Sequence, residues 1–340
     1  MIKRREFLSW LAALFSAVMS GCLEKIEEKQ NIAEGTNLKR SIVSKVFVIK
    51  TVERDSGIRK LMKFLEAGDL SGKKVAIKAN YNSADPFPAS THPDTLSAII
   101  DVLKENGADI VLAERSGMGN TRKVLEETGV IEMTEKKGFE VVVLDDLKKG
   151  WNRITSQGSH WKNGFLFPDV FSNADTIVQT CCLKTHRYGG NFTMSLKNSV
   201  GMVAKYDPQD GYNYMSELHG SRYQRQMIAE INAAYDPKFV IMDAVEGFSK
   251  GGPDTGTLIK PGLLLASNDR VALDAVGVAL LRIYGTTSEV AGGGVFGQEQ
   301  IARAAELGMG ASAPEDIELI AVNEDAGDIC KKIEEKLRQT

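Results

Sequence analysis

The chain has 340 residues, 43% hydrophobic and 26% charged, with 32 glycines and 9 prolines. That composition belongs to an ordinary folded protein and excludes a disordered, collagen-like or disulfide-stapled one. The formal net charge is -3, so nothing in the balance points to nucleic acid as a partner.

Residues 1–22, "MIKRREFLSWLAALFSAVMSGC", have the parts of an export signal. Lys3, Arg4 and Arg5 make the basic start, and the apolar run 7–19 is too short to span a bilayer. Ser20 and Gly21 then precede Cys22, which stands where a lipoprotein is cut and lipidated. Arg4 and Arg5, followed by Glu6, Phe7 and Leu8, resemble a twin-arginine signal, with the general secretory route as the alternative. The expectation is an extracytoplasmic protein anchored to the membrane by a lipid on Cys22. Loss of residues 1–21 takes away three bases and one acid and moves the net charge from -3 to -5. Residues 23–40 are polar and patternless and read as a tether.

Beyond the tether, residues 41–340 read as one α/β domain, either a single body or two lobes meeting near 150–170. Apolar runs at 46–49, 75–78, 110–113 and 141–144 predict buried strands, with helices at 57–66, 94–105 and 121–127 between them. Residues 150–167 are aromatic and aperiodic, a surface loop or a crossing between lobes. Strands return at 176–179, 239–242, 263–266 and 317–322, with helices at 223–234, 270–284, 298–307 and 326–337. The alternation predicts a mostly parallel sheet with flanking helices.

Ligands of such sheets gather at the carboxyl ends of the strands. Asn80, Tyr81 and Asn82 follow one strand, and Glu114, Arg115 and Ser116 another. "KTHRYGGNFTMSLKNSVGMV", residues 184–203, follows a third. It reads as a cationic loop in which Gly189 and Gly190 open the backbone to an anion, Lys184, Arg187 and Lys197 supply charge, and His186 is a base or a ligand. A solvated basic loop is the plainer alternative. After the fourth strand, Asp243 and Glu246 could hold a metal or orient a base, ahead of the glycine-rich "GFSKGGPDTG". His219 could converge with His186, and with His92 the two could bind a transition metal if they met in space. Asp274 is the only charge in the apolar "VALDAVGVALL" and must be paired, so it anchors the site or lies in it, with anchoring preferred; Asn268 or Asp269 reads first as a helix cap. Cys181, Cys182 and Cys330 leave no disulfide framework, and no iron-sulfur or zinc cassette occurs.

"VAIKANYN", "KTH" with "FTMSLKNSVGM", His219, "MDAVEGFSKGGPDTG", "ASNDRVALDAVG" and "AAELGMG" occur in that order over residues 74–310. Together they resemble the domain of unknown function 362 family. The resemblance implies that Lys184, His186, Lys197, Asn198, Gly201, His219, Asp243, Gly252, Pro253, Asp269 and Asp274 occupy signature positions. Some members carry ferredoxin-like clusters; this chain lacks that extension, so any redox role implies an external partner. The family also looks similar to the catalytic part of lactate racemases, where lysines and histidines handle a cofactor and a hydroxy acid.

The expectation is an exported, lipid-anchored, enzyme-like protein that binds a small anionic molecule or a cofactor, with a metal as one option. Lys184, His186, Lys197 and His219 are the candidate catalytic residues. Asn80, Gly189, Gly190, Asn198, Gly252, Asp269 and Asp274 are the candidate binding residues, and Asp243 with Glu246 the candidate metal ligands. A substrate-binding or cofactor-carrying lipoprotein without catalysis is the alternative.

Overall fold

A computed structural model describes residues 43–339, which belong to one compact unit. The signal, Cys22 and the tether lie outside the described residues. No helix among the described residues is long and apolar enough to cross a membrane.

The strands are β1 (Ser44–Lys50), β2 (Lys74–Lys78), β3 (Asp109–Glu114), β4 (Glu140–Val143), β5 (Trp151–Ile154), β6 (Phe165–Pro168), β7 (Thr176–His186), β8 (Asn191–Phe192), β9 (Phe239–Gly251), β10 (Gly256–Ile259), β11 (Leu263–Ser267) and β12 (Ile317–Ala321). Eight of them form a sheet in the order β12-β1-β11-β9-β7-β2-β3-β4, with β10 hung on β9 and β8 on β7. Neighbours run parallel except where β11 meets β1 and β9. The protein is therefore an α/β fold with a mostly parallel sheet and flanking helices.

Both faces of the sheet are covered, and the two-residue period of a strand divides its apolar side chains between them. In β1, Val46 and Val48 join the core under the helices Arg270–Ile283, Glu299–Glu306 and Gly327–Leu337, whereas Phe47 and Ile49 join the core under Arg54–Phe64 and Pro93–Glu105. A third core gathers Trp161, Phe165, Phe167, Phe171 and Tyr214. It contains the aperiodic stretch, which folds as the antiparallel pair β5 and β6 rather than a crossing between lobes.

Two strands run further than their apolar patterns predict. β7 continues past Gln179 through Cys181, Cys182, Lys184 and His186, all buried, and β9 continues past Met242 to Gly251. Lys184 and His186 thus lie in a strand, not a loop, and the turn begins only at Arg187, before β8 pairs back on Thr185 and His186. The β7–β9 register shifts between Cys182 and Leu183, where Asp243 and Gly247 become successive partners and Ala244 to Glu246 bulge out.

The chain lays down β2, β3 and β4 in one direction, then returns to place β7 on the other side of β2. The strand order reverses between β2 and β7. That is where a doubly wound sheet opens a crevice at its carboxyl edge.

Candidate active site

A cavity of about 540 Å³ occupies that crevice. Its walls come from the ends of β2 (Lys78, Asn80, Tyr81, Asn82), β3 (Glu114, Arg115, Gly117, Met118) and β7 (His186, Tyr188), and from Thr193, Lys197, Asn198, Lys205, Met215, His219 and Pro253. Four bases, Lys78, Arg115, Lys197 and Lys205, face one acid, Glu114.

The floor is a buried ion pair. Lys78 Nζ lies 2.6 Å from Glu114 Oε1 and also donates to Asn198 Oδ1 at 3.2 Å and to the Ala79 carbonyl at 2.5 Å. Glu114 accepts in addition the backbone N–H groups of Tyr81 and Arg115. Burial works against both charges, raising the Glu114 carboxyl and lowering the Lys78 ammonium, and their mutual attraction opposes it. The Arg115 guanidinium is buried beside them and donates to the Val200 carbonyl at 2.6 Å, but its Nε has no partner. The Tyr81 hydroxyl, 1% exposed as a residue, has none either.

The two histidines of the cavity are held in opposite tautomers. His186 Nδ1 accepts the Gly190 N–H at 3.3 Å, so the neutral ring carries its proton on Nε2 and is a donor. His219 Nδ1 sits 2.7 Å from the Met215 carbonyl, a pairing that requires a proton on Nδ1 and leaves Nε2 as an acceptor. Burial, then the charges of Lys197 and Lys184, lower His186 far below the usual imidazole range. Partial burial and Lys197 also lower His219 at the rim, although the Met215 carbonyl resists. Both rings are therefore neutral near pH 7.

Lys197 lies between these groups. It stands one residue before the end of the one-turn helix Ser195–Asn198, is half-buried, and has no hydrogen-bond or ion-pair partner among the described residues. Burial and the nearby charges of Lys184 and Arg115 lower its ammonium to about 7. The helix is pinned from behind by Asp274, whose Oδ1 accepts Ser195 N at 2.8 Å and Ser195 Oγ at 2.6 Å and whose Oδ2 accepts Leu196 N at 2.9 Å. Gly190 lets the site close: a Cβ there would lie 2.8 Å from Lys197 Cε and 2.9 Å from His186 Nδ1.

The remaining predicted residues lie in three places. Asn80 and Asn198 line the cavity. Lys184 is 1% exposed and does not line it; its ammonium donates to the Ala89 carbonyl, which Asn80 Nδ2 shares at 3.1 Å, so it holds the loop that carries Asn80 to Asn82. Burial lowers the Lys184 ammonium as well. Gly189 packs on Gln224. Gly252 has φ +63°, a Cβ on it would lie 2.1 Å from the Thr185 carbonyl oxygen, and it sets Pro253 in the cavity wall. Asp269 is remote: it caps the helix Arg270–Ile283 through Val271 N and Ala272 N and accepts Ser44 Oγ and Ala311 N.

Asp243 and Glu246 do not converge on a free space. Asp243 is committed to Arg54 at 2.8 Å, Thr95 Oγ1 at 2.6 Å and Val245 N, and Glu246 pairs with Lys260 at 2.9 Å. His92 caps its own helix through Asp94 N. No group of three or more His, Cys, Asp or Glu among the described residues is placed to hold a metal ion. Cys181, Cys182 and Cys330 are free and buried. His160 is half-buried and lies 2.7 Å from Glu230 Oε1.

Among the charged cavity residues, Lys78 and Lys205 were not singled out in the sequence, and Glu114 and Arg115, like Tyr81, were marked only by following a strand. All but Lys205 stand at strand ends, and that position was the available signal.

Residues 75–279 match the family described as Domain of unknown function (DUF362). The chain belongs to this family. This DUF362 protein is 24% identical over 214 residues to the thylakoid-associated protein sll1697 of Synechocystis sp., a match covering 62% of the chain and 64% of that relative, so it spans under two thirds of the relative's length. The lactate racemase apoprotein from Thermoanaerobacterium thermosaccharolyticum aligns with a TM-score of 0.40 and 15% identity over 70% of the DUF362 chain and 58% of that protein.

Proposed function

We propose that this protein is an enzyme that moves a proton on a small anionic molecule bound in the β2–β7 crevice. The carrying observation is the pair of histidines locked as donor and acceptor beside one cavity, with His186 offering Nε2–H and His219 an unprotonated Nε2. Arg115 and Lys205 supply the charge for the anion, and the excess of bases over acids in the walls favours a carboxylate or phosphate over a cation. His219 takes a proton from the ligand while His186 donates a hydrogen bond to the oxygen on which negative charge builds. Asp274 and Lys184 act from outside the cavity by fixing the parts that line it.

The same reading keeps the export and anchoring proposal, supported by the basic, apolar and small-residue segments that end at Cys22.

The test is incubation of the purified chain in D2O with a panel of small carboxylates, reading binding by calorimetry and deuterium uptake by mass spectrometry. At least one carboxylate is expected to bind and to exchange a C–H proton. His219→Gln is expected to slow that exchange by about 100-fold or more while binding persists. Binding without exchange in the wild-type chain would instead mark a carrier with no turnover.

A further inference from the structure

We propose that Lys197 forms a covalent imine with the carbonyl carbon of a small carboxylate that carries an aldehyde or ketone. The inference rests on the cavity being a small-molecule site, and it names the substrate class of that site.

Geometry separates Lys197 from the other bases around the cavity. Lys78 is neutralised by Glu114, Arg115 is tied to the Val200 carbonyl, and Lys184 is spent on Ala89 outside the walls. Lys197 and Lys205 both have no acceptor among the described residues, but only Lys197 has its stem held over Gly190 beside His186. A lysine meant only to clamp an anion gains from neighbouring carboxylates that keep it charged; this one has cations instead. Such surroundings favour the free amine near neutral pH, a weak anion clamp but a competent nucleophile. Two residues of the same walls also carry a buried polar atom with no hydrogen-bond partner, the Tyr81 hydroxyl and Arg115 Nε.

The chemistry balances without an oxidant or a reductant. The Lys197 nitrogen attacks the carbonyl carbon and gives a proton to His219 Nε2, while the His186 Nε2–H donates a hydrogen bond to the carbonyl oxygen as negative charge builds there; His219 then passes that proton to the oxygen. His219 next carries the remaining N–H proton to the hydroxyl, which leaves as water, and a C=N bond remains. Once protonated, the imine withdraws electrons from the adjacent carbon, whose C–H proton can then pass to His219. The imine thus supplies the acidity that proton transfer in this site requires.

The experiment treats the full chain with pyruvate or glyoxylate at pH 7, adds borohydride, and maps the reduced adduct by peptide mass spectrometry. Labelling is expected at Lys197 in preference to all other lysines, and its yield should rise as pH increases through about 7. Lys197→Arg, which removes the nucleophile, should abolish the adduct. Adduct on other lysines only, or none at all, overturns the proposal, and since the wild-type map decides this, poor folding of the variant does not rescue it. Deuterium exchange without any trapped adduct would sink the imine and leave the proton-transfer reading standing. A Lys197 adduct without exchange would do the reverse.

Discussion

Asp274 governs a site it never enters. Its oxygens are spent on Ser195 and Leu196, so the carboxylate behaves as a cap from another helix and fixes the turn that presents Lys197 and Asn198. Burial pushes the carboxyl from 3.8 up to about 6 despite those donors. With the folded value above the unfolded one, this group favours the fold fully below about pH 3.8, and that contribution is lost as pH rises through about 6. Asp274→Asn should therefore remove a stability slope between those values. It should also cost about 2 kcal/mol at pH 7, because an amide nitrogen would face a backbone N–H. Urea unfolding at pH 4 and pH 7 measures both effects. Asp274 was readable in the sequence as a lone charge in an apolar helix. Glu114 and Arg115 were readable only as polar residues after a strand end, because such residues look alike in the letters whether they meet solvent or a buried lysine.

At the scale of elements, the Lys78–Glu114 pair joins the ends of β2 and β3 to the Lys197 helix through Asn198. Lys78→Met should cost about 3 kcal/mol by leaving Glu114 buried and unpaired. Adding Glu114→Gln should recover part of that loss, so that the double variant is more stable than Lys78→Met alone; chemical denaturation of the set reads the coupling. If the second change deepened the loss, the pair would not be acting as a unit. The lengths of β7 and β9 were misread for a related reason. Apolar periodicity stops at Cys181 and at Asp243, yet the strands continue because Lys184, His186 and Asp243 find their partners inside the protein. A charged letter marks the end of a strand only when water is the cheapest partner available to it.

The whole molecule is organised around β7, which pairs with β2 on one side and β9 on the other. Cys181 and Cys182 lie in this central strand, and burial pushes both thiols up, Cys182 to about 11. Reaching them requires the middle of the sheet to open. Labelling of Cys181 and Cys182, read apart from Cys22 and Cys330 by peptide mass spectrometry, should therefore follow the loss of secondary structure by circular dichroism during a urea titration. Labelling in native buffer at the rate of an unprotected thiol would mean that the centre of the sheet opens locally. The parallel α/β class was legible in the alternation of strands and helices. The antiparallel placement of β11 between β1 and β9 was not, since it pairs Val46 with Ser267 across more than half of the chain and no local pattern encodes such a partner.

His186, Lys197 and His219 all fall within one uninterrupted stretch of 34 residues between the end of β7 and the helix that carries His219. Asn80, Asn82, Gly117 and Met118, on the facing wall, come from loops far earlier in the chain. The reactive groups and the facing wall thus lie in separate parts of the sequence. Such a layout lets mutation retune which molecules are admitted while the reacting apparatus passes unchanged from one descendant to the next, so that a single chemistry can be kept across relatives that differ in diet.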